Sequence, residues 1–422
     1  MRKTYSNVRG TLDFGPAESS SFQKVASAAK EIFELFGYQE IILPLLEERE
    51  LFIKGVGSGT DIVDRQMFKI EDKDIVLRPE GTAQVVRYYL QNALYKQGDF
   101  HKFFYSGAMF RGERPQKGRL RQFHHLGAEA IGSDSFYLDA EMIDLSLRIL
   151  EAAGIKEKKL MINSLGCPDD KEKFSRLLKG DLEKRKSRLC EDCQRRLEKN
   201  PLRVLDCKKE ECSKQVRGFM HAETGGKEYL CKECFDKYKN LLNLLEGLGI
   251  KYEHNSCLVR GLDYYTNTVF EITSPKLGSQ DAIGAGGRYN NLIHSLGGPQ
   301  IPAVGFALGV ERILLVLGEA REARKTDVFV AVVEKDLFSV AFKILNNLRK
   351  KALSADCDYN QKSLKGQLRV AQKIGVRYVI IVGSEELKED CVILKDMEKG
   401  TQEKIKIDRI IEICCAHIPA AN

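Results

Sequence analysis

Apolar residues first recur with helical spacing at Phe22, Val25, Ala26, Ala29, Phe33 and Phe36, after a serine-rich cap and before Gly37. This predicts an amphipathic helix over 19–36. An apolar run over 38–46, interrupted by Pro44, fits an edge or bent strand. Two β-like runs within 100–131 flank a polar, arginine-bearing stretch at 112–119, the pattern of a hairpin with a long loop. A helix is expected over 139–153, stopped by Gly154. Between about 167 and 245 the chain becomes rich in Lys, Glu and Cys with helical segments, and reads as an inserted module. Strand character returns over 258–272, followed by Gly284, Gly286 and Gly287 and then an expected helix over 305–317.

After a charged linker at 318–326 the rhythm changes. A strand at 327–333, helices near 337–352 and 364–374 and a strand at 378–382 suggest a separate small α/β domain. The expected fold class is therefore α+β. An antiparallel-sheet core is split into 1–166 and 251–325 by a helical insertion at 167–250, with an α/β domain at 326–422.

The chain has 422 residues, 43% hydrophobic and 30% charged, enough apolar material for more than one core. With 67 Lys+Arg against 60 Asp+Glu the net charge of +7 tolerates a polyanionic partner without demanding one. No apolar run approaches the roughly 18 residues that span a bilayer, and residues 1–6 lack an apolar signal core, so a cytoplasmic protein is expected. There are twelve cysteines, six of them between Cys190 and Cys234. In a reducing compartment that clustering suggests metal-type use rather than disulfides. Cys190-x-x-Cys193 and Cys231-x-x-Cys234 together could hold a structural zinc ion. Their wide spacing and the competing Cys207 and Cys212 leave free thiols on helices as the alternative.

The hairpin carries the sharpest chemistry. Alternation in a strand puts Phe103, Tyr105, Gly107, Met109 and Arg111 on one face, and Arg121, Phe123, His125, Gly127 and Glu129 on one face of the returning strand. If the two pair, Arg111, His125 and Glu129 converge. On an arbitrary hairpin those groups would form a solvated face. Here the interleaved Gly107 and Gly127 suggest an open floor beside an arginine and a carboxylate, suited to a small zwitterion plus a phosphate.

The stretch Phe110-Arg111-Gly112-Glu113-Arg114-Pro115-Gln116-Lys117-Gly118-Arg119, closing with Arg121-Gln122-Phe123-His124, resembles motif 2 of the histidyl-tRNA synthetases. Further segments follow in the family's order: the region of Pro44 (motif 1), Leu77-Arg78-Pro79-Glu80-Gly81-Thr82, Val259-Arg260-Gly261-Leu262-Asp263-Tyr264-Tyr265, Gly284-Ala285-Gly286-Gly287-Arg288-Tyr289 and Gly305-Phe306-Ala307-Leu308-Gly309-Val310-Glu311-Arg312 (motif 3). The region from about 327 resembles the family's anticodon-binding domain. The resemblance implies a class II synthetase core and a homodimer formed through motif 1. The implied substrates are L-histidine, ATP with Mg2+, and tRNA-His.

It further implies catalytic roles for Arg111 and Arg260, and ATP contacts from Arg111, Glu113 and Arg312. Glu80, Gly81, Thr82, His125, Glu129, Tyr264 and Tyr265 would hold histidine, with Glu129 facing the imidazole. Arg114, Gln116 and Arg121 would meet the tRNA acceptor end. His125 stands where the family generally carries glutamine, Ala108 where proline is usual, and Asn290-Asn291 replaces a commoner Asp-Gly. A non-catalytic, histidine-binding regulatory paralogue of the same fold would share the core. It would lack the phosphate-contacting arginines and the extra domain that this chain keeps.

Overall fold

The computed structural model describes residues 5–57, 60–98, 100–221, 229–278, 281–318 and 326–418. The chain divides into two compact units, Met1–Ala320 and Arg321–Asn422. Helix α1 (Pro16–Leu35) starts with Pro at its first turn and buries Val25, Ala29 and Phe33. Strand β1 (Gln39–Glu40), strand β2 (Leu46–Glu48), helix α2 (Arg49–Val56), strand β3 (Ile75–Leu77) and helix α3 (Thr82–Gln91) follow. The predicted hairpin forms as β4 (His101–Phe110) and β5 (Gln122–Ile131), and leads through helix α4 (Phe136–Ala152) to β6 (Lys159–Ser164).

The insertion contains α5 (Pro168–Glu183), α6 (Glu191–Lys199), α7 (Glu210–His221) and α8 (Lys232–Gly247). The chain then adds β7 (Glu253–His254), β8 (Thr266–Thr273), β9 (Ala282–Arg288), α9 (Leu292–Ser295), β10 (Ala303–Gly309) and α10 (Val310–Leu317). The main sheet runs β1-β4-β5-β10-β9-β8-β6-β7. Every interior pairing is antiparallel, and only the two edge strands, β1 and β7, pair in parallel.

Strand alternation decides what each face covers. Phe104, Leu126, Ala128 and Ala130 pack with α1 and α4, where Phe33 stacks on Phe104 at 4.6 Å. Phe103, Tyr105 and Met109 face the other way, into a cluster with Val85, Val86 and Tyr89 of α3. The insertion has its own core around Phe174, Leu178, Leu182 and Leu197, but that core also takes in Val259, Tyr265 and Val269. Helix α8 instead lends Leu241 and Leu245 to the cluster on α4.

The second unit orders its strands β12-β11-β13-β14-β15, from β11 (Val328–Val332), α11 (Phe338–Lys350), β12 (Ala355–Cys357), α12 (Leu364–Ile374), β13 (Tyr378–Val382), α13 (Ser384–Lys388), β14 (Cys391–Asp396), β15 (Gln402–Lys406) and α14 (Ile410–His417). Strands β12, β11 and β13 are parallel, the outcome of the predicted βαβ rhythm, and β14 and β15 add an antiparallel hairpin.

Two local expectations fail for identifiable reasons. Residues 258–265 are loop rather than strand. Their carbonyls go to side chains: Arg203 takes those of Arg260 and Gly261, and Lys171 takes those of Asp263 and Tyr265. Residues 305–309 open as strand β10, not helix, because they fill the place between β5 and β9. The glycines at 284, 286 and 287 lie within β9; a Cβ on Gly286 would overlap the Gly305 carbonyl and Phe306.

One charged group inside the core sets a test. Arg288 is 2% exposed, pairs with Asp139 at 2.7 Å and donates to the carbonyls of Ser133 (2.8 Å) and Ser135 (2.6 Å). Removing one member of such a buried pair leaves the other charge uncompensated and typically costs ~3–5 kcal/mol. Arg288→Met should therefore lower stability in urea melts by about that much, and adding Asp139→Asn should recover a large part. Equal losses in the single and double variants would refute the pairing.

Candidate active site

Register brings the predicted face together. Phe103 pairs with Glu129, Tyr105 with Gly127, Gly107 with His125 and Met109 with Phe123. Arg111 follows β4 directly, and its Nε donates to the Pro79 carbonyl at 2.9 Å while its guanidinium lies over Phe123 at 5.2 Å. Of these, Tyr105, Arg111, Phe123 and His125 open onto a cavity of about 540 Å³. Glu80 and Thr82 line it from the turn into α3, and Glu113 and Arg119 from the loop between β4 and β5. Arg260, Tyr264 and Tyr265 line it from the loop before β8, and Arg312 from α10.

Eight Lys or Arg and eight Asp or Glu side chains line the cavity, and Arg312 has several of the basic ones around it. Arg312 donates to the carbonyls of Gly118 (2.9 Å) and Ala282. Burial, and then Arg119, Arg260 and Arg111 around it, push its pKa down to about 10, with Glu113 opposing. A guanidinium depressed by its like-charged neighbours marks a place that is favourable for an anion. Arg260 is ion-paired to Glu271. His125 is held well below the usual histidine range by burial and then by Arg111, Arg312 and Arg78. It is therefore neutral near pH 7, and its buried Nδ1 has no hydrogen-bond partner among the described residues.

The cavity's lining continues along a line of matched sequence. The profile of the histidyl-tRNA synthetase family matches residues 10–170 and 203–313, which contain all of these groups. The chain belongs to the histidyl-tRNA synthetase family. An anticodon-binding-domain profile matches residues 327–416. The chain is 44% identical to the histidine–tRNA ligase of Halothermothrix orenii over 411 residues, covering 96% of this chain and 97% of that one. It is also 44% identical to that of Aquifex aeolicus over 407 residues, covering 96% and 99%. The fold is similar to the apo histidyl-tRNA synthetase of S. aureus, with a TM-score of 0.79 at 32% identity over 97% of this chain and 99% of that one.

Within this family architecture several sequence expectations need correcting. The floor beside the glycines is filled. A Cβ at Gly107 would overlap the Arg78 guanidinium, and one at Gly127 or Gly81 would overlap the Tyr105 ring. The glycines thus make slots for Arg78 and Tyr105. Glu129 is 1% exposed and, unlike Thr82 and Tyr105, does not line the cavity. Its carboxyl accepts from Tyr289 (2.6 Å), Thr82 (2.7 Å) and Tyr105 (3.5 Å), so a ligand without an imidazole would not leave it unpaired. Tyr289 was not singled out from the sequence, although it ends the Gly284–Tyr289 motif.

Glu80 also has partners, the amides of Thr82 (2.7 Å) and Ala83 (3.0 Å) at the start of α3. Gly81, Arg114, Gln116 and Arg121 are not in the cavity wall. Arg114 and Gln116 are exposed on the loop, whereas Arg121 is bonded to the carbonyls of Glu113 and Arg9. Glu311 of motif 3 binds the amide and Nδ1 of His124 at 2.9 and 2.8 Å, which joins α10 to β5. The two C-x-x-C pairs do not share one metal site. Cys190 and Cys193 gather with Cys207 and Cys212, and Cys231 and Cys234 with Cys167 and Asp170, because each pair starts a different helix.

Burial raises the Glu129 pKa from 4.5 to about 8, against the hydrogen bonds from Tyr289 and Thr82. Between those values the folded chain holds a proton that the unfolded chain has lost, so stability falls as pH rises, by on the order of 1 kcal/mol per pH unit from this group. Thermal melts of the ligand-free protein between pH 5 and 8 should show a downward slope that is flatter in Glu129→Gln. The same slope in both proteins would show that Glu129 ionises freely.

Proposed function

We propose that this protein is a histidine–tRNA ligase. It activates L-histidine with ATP to histidyl-adenylate and pyrophosphate, then transfers the histidyl group to the 3′ end of tRNA-His. The observation that carries this reading is the convergence of Arg111, Arg260 and Arg312 on the cavity that also holds Thr82, Tyr264 and Tyr265. In the first step the histidine carboxylate attacks the α-phosphorus and negative charge gathers on phosphate oxygens. Fixed guanidiniums lower that barrier because they already point at the developing charge. Arg111 and Arg312 serve as phosphate contacts beside Glu113, and Arg260 stabilises the attack.

When bound with ATP, magnesium would supply neutralisation of the phosphate charge. Glu113 and Glu271 are cavity-lining carboxylates of the type it takes alongside phosphate oxygens.

Histidine is held by Glu80, Thr82, Tyr264, Tyr265 and His125, with Glu129 acting through the hydroxyls of Thr82 and Tyr105. A neutral His125 offers one ring donor and one ring acceptor in the place of the family's glutamine amide. The exposed Arg114 and Gln116 are placed to meet the acceptor end, with Arg121 shaping the base of their loop. Ile42 (92% exposed), Leu45 and Leu46 beside Pro44 leave an apolar strip that supports a homodimer through motif 1. Among the described residues no helix is long and apolar enough to cross a membrane, and we place the reaction in the cytoplasm with its tRNA.

Histidine-dependent exchange of pyrophosphate into ATP tests the first step. The parent chain should catalyse exchange, and Arg260→Ala should lower it by at least ~10²-fold, the usual cost of losing one preorganised donor. A folded but inactive parent would overturn the assignment. His125→Gln should change the KM for histidine by a factor that is constant from pH 6 to 8, because His125 does not titrate in that range. A factor that varies across the window would show that the imidazole is charged in the complex.

A further inference from the structure

The proposed reaction leaves the insertion's cysteines without a task. Cys190, Cys193, Cys207 and Cys212 bring their Sγ atoms within 4.8 Å of one another, and a second group does the same with the Sγ atoms of Cys167, Cys231 and Cys234 and an oxygen of Asp170. All seven cysteines are free thiols. Sulfurs around a tetrahedral zinc ion at ~2.3 Å lie about 3.8 Å apart, so each group needs only a small contraction to close. A disulfide would use two of these atoms and leave the rest crowded, whereas each group offers four donors converging on one point.

The surrounding backbone favours thiolates. Cys190 stands at the N-cap of α6 and Cys231 at that of α8, where the helix amides stabilise negative charge. The Cys190 amide donates to the Cys212 sulfur at 3.3 Å and the Cys234 amide to the Cys231 sulfur at 3.5 Å. Asp170 is oriented by the amides of Cys231 (2.9 Å) and Cys167 (3.4 Å), and its carboxylate has lone pairs left for a metal. We propose that the insertion holds two structural zinc ions, one on Cys190, Cys193, Cys207 and Cys212 and one on Cys167, Asp170, Cys231 and Cys234, which together brace the 260–265 loop.

The bracing follows from what each knot carries. The first closes the segment between Cys193 and Cys207. From it, Arg203 donates to the carbonyls of Arg260 (3.1 Å) and Gly261 (2.8 Å), and Asn200 to the Asp263 carboxylate (2.9 Å). The second fixes the start of α5, where Lys171 donates to the carbonyls of Asp263 (2.6 Å) and Tyr265 (3.0 Å). A loop without strand partners is thus held from behind by two metal-tied segments. Arg203 and Lys171 are positioning residues for Arg260, Tyr264 and Tyr265.

The metal assignment is independent of the proposed reaction, while the bracing role rests on it. Elemental analysis of the full chain, purified without chelator, should find two zinc ions per chain. Cys212→Ser and Cys234→Ser should each reduce this to one. Cobalt substitution of the parent should give thiolate-to-cobalt charge-transfer bands and the visible bands of tetrahedral sites. One equivalent or none in the parent, or fewer than twelve free thiols in the denatured, unreduced, demetallated chain, overturns the two-site proposal. Cys212→Ser should also lower the kcat of exchange at least tenfold with an unchanged circular dichroism spectrum. An unchanged kcat would remove the bracing role. Two zinc ions in a chain that does not exchange pyrophosphate would sink the reaction and leave the metal sites standing.

Discussion

The active cavity depends on keeping guanidinium groups oriented without neutralising them. Arg111 is held by the carbonyl of Pro79, Arg312 by those of Gly118 and Ala282, and Arg78 by those of Leu43 (3.0 Å) and Ala108 (2.8 Å). Carbonyl dipoles fix the direction of a cation yet leave its full charge for an incoming phosphate, whereas a carboxylate partner would cancel it. Arg260 departs from this, since Glu271 is its ion-pair partner, as do Arg119 with Glu113 and Arg196 with Asp61. A phosphate oxygen must therefore compete with Glu271 for Arg260. A magnesium ion drawing on Glu271 would release that competition.

The same logic separates a catalyst from a regulatory protein of this fold. On the proposed reading, binding histidine uses the hydroxyls and carboxyls of Thr82, Tyr264, Glu80 and Glu129, which a sensor would also keep. It does not need a set of like-charged arginines around Arg312, whose pKa is pushed down to about 10 by burial first and then by that proximity. Such mutual repulsion costs stability in the empty protein, and only a polyanionic ligand returns it. On the proposed reading the arginine cluster serves triphosphate chemistry, which a protein that only senses an amino acid does not carry out.

Much of this was legible along the chain because the hairpin's information is local. A period of two assigned Arg111, His125 and Glu129 to one face, and the register of β4 with β5 agrees position by position. The small α/β domain was legible for a similar reason, since alternating strands and helices leave few ways to build a parallel sheet. Failures came where partners are distant in sequence. Nothing near 258–265 announces that Arg203 and Lys171 will take its carbonyls, so its apolar and aromatic residues read as strand. Nothing near Gly107 or Gly127 says that Arg78 and Tyr105 will fill the space they leave. Two identical C-x-x-C spellings look like natural partners, yet each begins a separate helix and finds its companions in Cys207 and Cys212 or in Cys167 and Asp170.

These long-range details share one pattern, in which missing side chains at one position admit a functional group from another. The Tyr105 ring lies where Gly81 and Gly127 have no Cβ, and its hydroxyl reaches Glu129, whose carboxylate in turn occupies the space beside Gly305. Three glycines, from the 77–82 motif, strand β5 and motif 3, therefore create one buried carboxyl, and the hydroxyls of Thr82 and Tyr289 complete its shell. An alanine at any of the three would press directly on this network, because the neighbours are a rigid ring and a carboxyl already committed to its donors. Motifs far apart in the chain are thus tied to one another through that single buried acid.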